Sequence, residues 1–297
     1  MTSFNPWQDL LLLQTREKLE KQHLEDTVRT EQQDHLLRKA REEASTSATR
    51  HQEELDKLYT KLNTLQNEQP SLGDDHIVET MRSLSQNLDS WVKANFKDAT
   101  KLQSWHGSDG NRFPHSSSQR RAYIQSFICC MIHTWIFSPY QFGICDDPYG
   151  HFLCQLEVCV GRHCSETVLN TWKTATSMAI EGDSKDNDEG IFTDIIKAVE
   201  DRFGTFGSTS DESRKRQLGK LLRKCADFKI ALSRQKQAFL FFRSPVGAEF
   251  SPQFMTFGGG DGQPAGKVRW SLWPAITRCH DDTGREVLEA ELVWTME

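Results

Sequence analysis

Residues 8–69 contain neither proline nor glycine, and "NEQPSLGDD" at residues 67–75 then supplies both. This punctuation constrains the chain more than any other feature. Proline removes a ladder donor and clashes with the preceding helical turn, and glycine permits a tight turn. The stretch before the break is rich in Glu, Gln, Lys, Arg and Leu, which favour helix. Apart from Leu10–Leu13 its apolar residues are sparse, whereas Trp, Phe and Cys concentrate after Trp91. With 37% hydrophobic and 26% charged residues, the chain reads as a solvated helical arm over 1–70 and a core-bearing domain over 71–297.

Within the arm, Leu55, Leu58, Leu62 and Leu65 alternate by three and four, the a/d spacing of a coiled-coil seam. Extended backwards, one line meets His51, Ala44 and Leu37, and the other Ala48, Arg41 and Asp34, so the seam weakens. Leu10, Leu13, Leu19, Leu24 and Val28 form a second stripe out of frame with the first. The small and β-branched residues of "EEASTSATRH" (42–51) predict a soft joint between two helical segments. The arm is expected to self-associate or to bind a protein partner through the four leucines; the plainer alternative is a lone, charge-laced helix. No dense basic region precedes the leucines, which excludes a basic zipper.

The domain opens at residue 74, where Asp74 or Asp75 offers an N-cap and Glu79 a capping-box partner. Ile77, Met81, Leu84, Leu88 and Trp91 follow on one helical face, with Phe96 beyond, a stripe too bulky for a slim dimer seam. "HGSDGNRFPHSSS" (106–118) reads as a loop, residues 120–138 as an apolar core helix and 138–151 as another loop. Residues 151–160 fit either strand or helix. A helix over 165–180 shows Val168, Leu169, Trp172 and Thr176 on one side, "EGDSKDNDEG" (181–190) reads as an acidic surface linker, and short and long helices follow over 191–203 and 212–238. Beyond these, "FGGGDGQPAG" (257–266) reads as a loop, "KVRWSLW" (267–273) as a strand and "DDTGRE" (281–286) as a turn. "VLEAELVW" (287–294) fits strand or helix. The predicted fold is mainly α: a coiled-coil-like arm, then a helical domain with a small C-terminal β element.

A net charge of -6 argues against broad nucleic-acid binding, which needs a basic face. The start carries no basic n-region, so the eight cysteines are expected to be reduced and the protein cytoplasmic. No run approaches the roughly 20 apolar residues of a membrane span; the nearest, residues 122–137, is broken by Gln125, His133 and Thr134.

Chemistry has three footholds. Cys145, His151, Cys154, Cys159, His163 and Cys164 are zinc-ligand types, but their spacings lack paired knuckles, so reduced core cysteines are the plainer reading and no cofactor is expected. Adjacent Cys129 and Cys130 fit core packing. Arg214, Lys215, Arg216, Lys220, Arg223 and Lys224 form a basic concentration: a solvated helix face, or the patch of a nuclear regulator. "GGGDG" (258–262) lacks the lysine and hydroxyl spacing of a P-loop. No residue stands out as catalytic.

The segments "DDHIVETMRSLSQNLDSWVKANF", "TWKTATSMAI", "SRQKQAFLFFRSPVGAEFSPQFM" and "VRWSLWPAITR", the last followed by "DDTGRE", together resemble a group of uncharacterised filamentous-fungal proteins. These pair an N-terminal coiled coil with a helical domain of unknown activity. The resemblance spans residues 74–294 and implies a helix-dominated fold, with no catalytic residue to carry over. The resulting expectation is an interaction or scaffold protein. An enzyme or accessory protein of fungal secondary metabolism, with a site formed only in three dimensions, is the alternative. A deep cleft lined by Cys or His from 145–164 would favour chemistry, and a filled core would favour the scaffold.

Overall fold

The computed structural model describes residues 35–58, 72–103, 116–144, 149–260, 266–280 and 284–296, with Lys18, Lys21, Arg29 and Gln33. The chain divides into two compact units, Met1–Asn67 and Glu68–Glu297. In the first, residues 35–58 are helical, with Leu36, Leu37, Leu55 and Leu58 exposed. The expected soft joint at 42–51 is unbroken helix. Thr46 and Thr49 return their hydroxyls to the carbonyls of Glu42 and Ser45, at 3.0 and 2.9 Å, so they are satisfied without leaving the helix. Leu62, Leu65 and the stripe from Leu10 to Val28 lie outside the described residues.

The second unit begins with α1 (Asp74–Asn95). Its predicted stripe is buried in full: Ile77, Met81, Leu84, Leu88 and Trp91, with Phe96 just beyond. The cap differs from expectation. Gly73 holds the N-cap position in extended conformation, which moves Asp74 and Asp75 into the first turn, where they face the positive helix end. Both carboxylate oxygens of Asp74 also accept from Arg278 Nη1, at 2.7 and 2.9 Å. Next come α2 (Ala99–Gln103) and α3 (Ser117–Ile132). Helix α3 is opened by Ser116, whose side chain accepts from Gln119 N while Gln119 answers to Ser116 N, a complete capping box.

A π turn, His133–Phe137, ends α3. Helices α4 (Tyr149–His163), α5 (Glu166–Asp183), α6 (Lys185–Phe203) and α7 (Asp211–Ser233) follow. The 181–190 segment is not a linker. Helix α5 runs to Asp183, Ser184 is a single-residue break, and α6 starts at once. Six charged residues within ten mimicked a solvated loop, but they occupy helical positions, with Glu181, Asp183 and Glu189 exposed and Ser184 buried. One core joins α1, α3, α6 and α7, sealed by Trp273 and Ile276 from the strands. Cys129 and Cys225 lie inside it as free thiols, and burial pushes Cys129 up to about 12, as expected for core cysteines.

The β element is larger than expected. Strands β3 (Lys267–Trp273) and β4 (Ala275–His280) are parted only by Pro274, and β5 (Gly284–Glu289) and β6 (Glu291–Met296) only by Ala290. Each pair reads as one long strand broken at a single residue. Their antiparallel pairing, β4 with β5 and β3 with β6, makes a bent two-stranded ribbon. Pro274 cannot donate to a ladder, which suits the bend. Strand β1 (Ala238–Phe242) adds antiparallel to β4, and β2 (Met255–Gly260) adds parallel to β6. The long helix therefore stops at Ser233 rather than 238, because "AFLFF" is a strand. Residues 257–260 of the expected glycine loop belong to β2, and 261–265 lie outside the described residues. No helix among the described residues is long and apolar enough to cross a membrane.

Arg214 corrects the basic concentration read from residues 214–224. Its side chain is 4% exposed and meets Glu200 through Nε (3.1 Å) and Nη2 (2.5 Å), while Nη1 donates to Thr209 O. Trp91 Nε1 donates to Arg214 O at 3.3 Å. The residue therefore ties α7 to α6 and α1 instead of facing solvent. Lys215 pairs with Asp211 and Arg223 with Glu189, so the outward face carries paired charge as well. Arg214→Ala leaves the Glu200 carboxylate half-buried and unpaired, and should cost about 3–5 kcal/mol in a denaturant titration. Lys224→Ala, on the exposed side, should change stability by no more than about 0.5 kcal/mol.

Candidate functional site

Helices α4 and α5 stand outside the core. Helix α4 buries only Gly150, and α5 buries Lys173, Thr174 and Ser177 rather than the expected Val168, Leu169, Trp172 and Thr176. The reason is a polar contact with α7 and the loop before α4. Ser177 and Ser233 approach through their hydroxyls at 3.4 Å, Ser233 donates to Gln141 at 3.1 Å, and Arg234 Nε donates to Ser177 at 3.0 Å while its Nη2 pairs with Glu181. Hydrogen bonds hold the hairpin in place and no apolar face draws it onto the β element. The space left is a cleft of about 1250 Å³.

The walls of the cleft are largely apolar. On one side lies β1, an edge strand in the order β1-β4-β5, and on the other His151, Cys154 and Val158 of α4. Phe137 and Phe241 both line it and stack 4.1 Å apart at 3°. The π turn positions this pair. Ser138 N bonds back to His133 O at 2.7 Å, and the Phe137 carbonyl accepts instead from Lys229 Nζ at 2.9 Å. His133 Nε2 lies 3.4 Å from Phe241 O, and burial lowers the histidine below its ordinary value.

The third wall is the excursion from Ser244 to Phe254 between β1 and β2, and Glu291 anchors both of its ends. The Glu291 side chain, in a residue 1% exposed, accepts from Ser244 N at 2.9 and 3.1 Å and from Ser244 Oγ at 2.6 Å, while Glu291 N donates to Phe254 O at 2.9 Å. The loop after the π turn itself turns at Gly143. Its φ of 92° suits glycine, and a Cβ there would sit 2.5 Å from Ser184 Oγ.

Polar groups converge at the α4–α5 end of the cleft. Tyr140 donates its hydroxyl to Glu157 Oε2. Lys173 Nζ lies 3.8 Å from Glu157 Oε1 and donates to Lys236 O at 3.3 Å. Lys173 is 6% exposed, and burial lowers it from the usual lysine range, with Glu157 opposing. Burial, then the bond to Glu157, raise Tyr140 well above an ordinary phenol. Two perturbed groups around one carboxylate, in a mostly apolar cleft, are what a binding or reactive site requires.

Of the six zinc-type residues, Cys145 lies outside the described residues. Helix α4 turns His151 and Cys154 to the cleft, while Cys159 and His163 do not line it and Cys164 is exposed beyond its end. Among the described residues no group of three or more His, Cys, Asp or Glu side chains is placed to hold a metal. At about 100° per residue, the spacings from 151 to 163 send these side chains around the helix rather than to one point. Sequence reasoning missed Tyr140, Glu157, Lys173 and Lys229. Each looked like an ordinary loop or surface residue, and Tyr140, Glu157 and Lys173 meet only because α4 folds back beside α5.

Comparison with family models, curated proteins and solved structures finds no match to this chain. Glu291→Ala strips Ser244 N and Oγ of their acceptor, so it should destabilise the domain by about 1–3 kcal/mol. Limited proteolysis should then cut first within residues 245–253.

Proposed function

We propose that the second unit binds a small, largely apolar organic molecule in the cleft, and that the helical arm joins copies of the chain. The first part rests on one observation: a cleft of about 1250 Å³ with aromatic and aliphatic walls and a cluster of Tyr140, Glu157 and Lys173 at one end. Sites for small ligands commonly span roughly 300–1,000 Å³, lined by apolar side chains with a few convergent polar groups. The larger volume leaves room for a ligand above the usual small-molecule size. His151 and Cys154 of the 145–164 segment line it, so the balance moves from a pure scaffold towards a protein that handles a ligand. Enzymatic turnover or simple carriage are the two forms this takes.

Anilinonaphthalene sulfonate provides a direct probe. Fluorescence titration should give saturable binding at one site. Gly161 lines the cleft, and a Cβ there would meet only Leu169, at 3.6 Å. Gly161→Phe should therefore fill the space without disturbing the core and weaken the probe at least tenfold. Binding that the substitution leaves unchanged sinks the cleft as the site.

The second part is favoured by the exposure of Leu55 (47%) and Leu58 (62%) on a continuous helix. An isolated helix gains most of its stability by covering such a stripe. In sedimentation, Leu58→Asp with Leu62→Asp should turn a concentration-dependent oligomer into a monomer. An oligomer that survives the double substitution removes the seam.

A further inference from the structure

We propose that Lys173 is a carbonyl-reactive amine: its Nζ adds to an apolar aldehyde or ketone held in the cleft and forms an imine. This rests on the reading of the cleft as a ligand site and names the class of ligand.

The case begins with how Lys173 is housed. Its side chain is 7% exposed and lines the cleft. An ammonium has three protons to place. Here Nζ donates to Lys236 O at 3.3 Å, and Glu157 Oε1, at 3.8 Å, attracts charge from beyond hydrogen-bond reach. The cleft around it has largely apolar walls, which favour a neutral amine, and a neutral amine carries the lone pair that attacks a carbonyl carbon. Burial acts in the same direction by lowering the lysine, with Glu157 opposing it. Lysines desolvated in apolar pockets are activated in this way.

Lys229 provides the contrast inside the same cleft. It is equally buried, but Nζ donates to Phe137 O at 2.9 Å and sits 5.7 Å from the centre of the Phe241 ring. Its position is structural: it closes the π turn. Lys173 stands instead beside a proton carrier. Glu157 is held by the Tyr140 hydroxyl on Oε2, which leaves Oε1 towards Nζ.

The step balances without an outside oxidant or reductant. The Nζ lone pair forms a C–N bond as the carbonyl π pair moves onto oxygen. A proton leaves nitrogen, is carried by Glu157, and reaches that oxygen to give a carbinolamine. The nitrogen lone pair then forms the C=N bond as the C–O bond breaks, the remaining N–H proton passes by way of Glu157 to the departing oxygen, and one water leaves for each imine formed. Val158, Leu169 and Phe242 line the same cleft, which suits an aromatic or alkyl carbonyl compound. Glu157 and Tyr140 are positioning and proton-handling groups in this scheme, and Lys173 is the nucleophile.

The test uses the full chain with naphthaldehyde and sodium cyanoborohydride, which reduces an imine to a stable secondary amine, followed by peptide mapping. At neutral pH one adduct per chain should form, at Lys173, with each exposed lysine modified at least tenfold less. Its rate should climb with pH and reach half-maximum below the ordinary lysine range, because only the neutral amine reacts. Lys173→Arg keeps a long basic side chain but cannot form an imine, and should abolish the adduct. Lys224→Met, on the exposed face of α7 and outside the cleft lining, should retain it. Glu157→Gln should slow it at least tenfold. Uniform labelling of all lysines, or an adduct that persists in Lys173→Arg, overturns the proposal. If the fluorescent probe still binds in that case, the cleft reading stands and only the imine fails; if the probe does not bind wild type, both fail.

Discussion

A buried carboxylate at the bend of a β ribbon is the constraint on which the architecture of the site depends. Glu291 follows Ala290, the residue that parts β5 from β6, beside the break at Pro274 between β3 and β4. A carboxylate with 1% exposure is tolerable only when its oxygens are well supplied with donors. Ser244 supplies its backbone N–H and its hydroxyl, and to do so the chain leaving β1 must pass close to the bend. The Glu291 N–H then takes the Phe254 carbonyl and fixes the other end of the same excursion. One residue thus holds both ends of the excursion that forms the third wall of the cleft.

The core is complete without α4 and α5, and that explains why the cleft exists. Helices α1, α3, α6 and α7 bury one another's apolar stripes, and Trp273 and Ile276 seal the remaining side. The α4–α5 hairpin attaches through serines, Gln141 and Arg234. Such bonds are directional and hold elements at fixed separations, whereas apolar faces close until they pack. A hairpin held by hydrogen bonds can therefore stand beside β1 without collapsing onto it. The same looseness leaves Phe152 and Leu156 exposed on the far side of α4. Burying Lys173 at this junction costs stability, since desolvation disfavours its charged form, and it is offset only in part by Glu157.

Much of the frame was legible in advance because it follows from local periodicity. The stripe from Ile77 to Trp91 put the domain boundary near residue 70, and "KVRWSLW" alternated as a strand does. The errors have a common cause. Charged "EGDSKDNDEG" and glycine-rich "FGGG" carry the composition of loops, but helix α6 and strand β2 run through them because burial of Ser184 and pairing with β6 outweigh local propensity. Arg214 looked like one of six basic residues until the fold brought Glu200 of α6 beneath it.

The amino-acid sequence by itself determined that an arm precedes a domain, that the domain is mainly helical, and that its last sixty residues form a β element. Each of these follows from spacing within a single segment. The meeting of Tyr140, Glu157 and Lys173 was decided only by tertiary structure. Their partners come from a loop, α4 and α5, and no periodicity links those three segments. What joins them is the polar seating of a hairpin against α7, a contact between residues more than fifty positions apart along the chain.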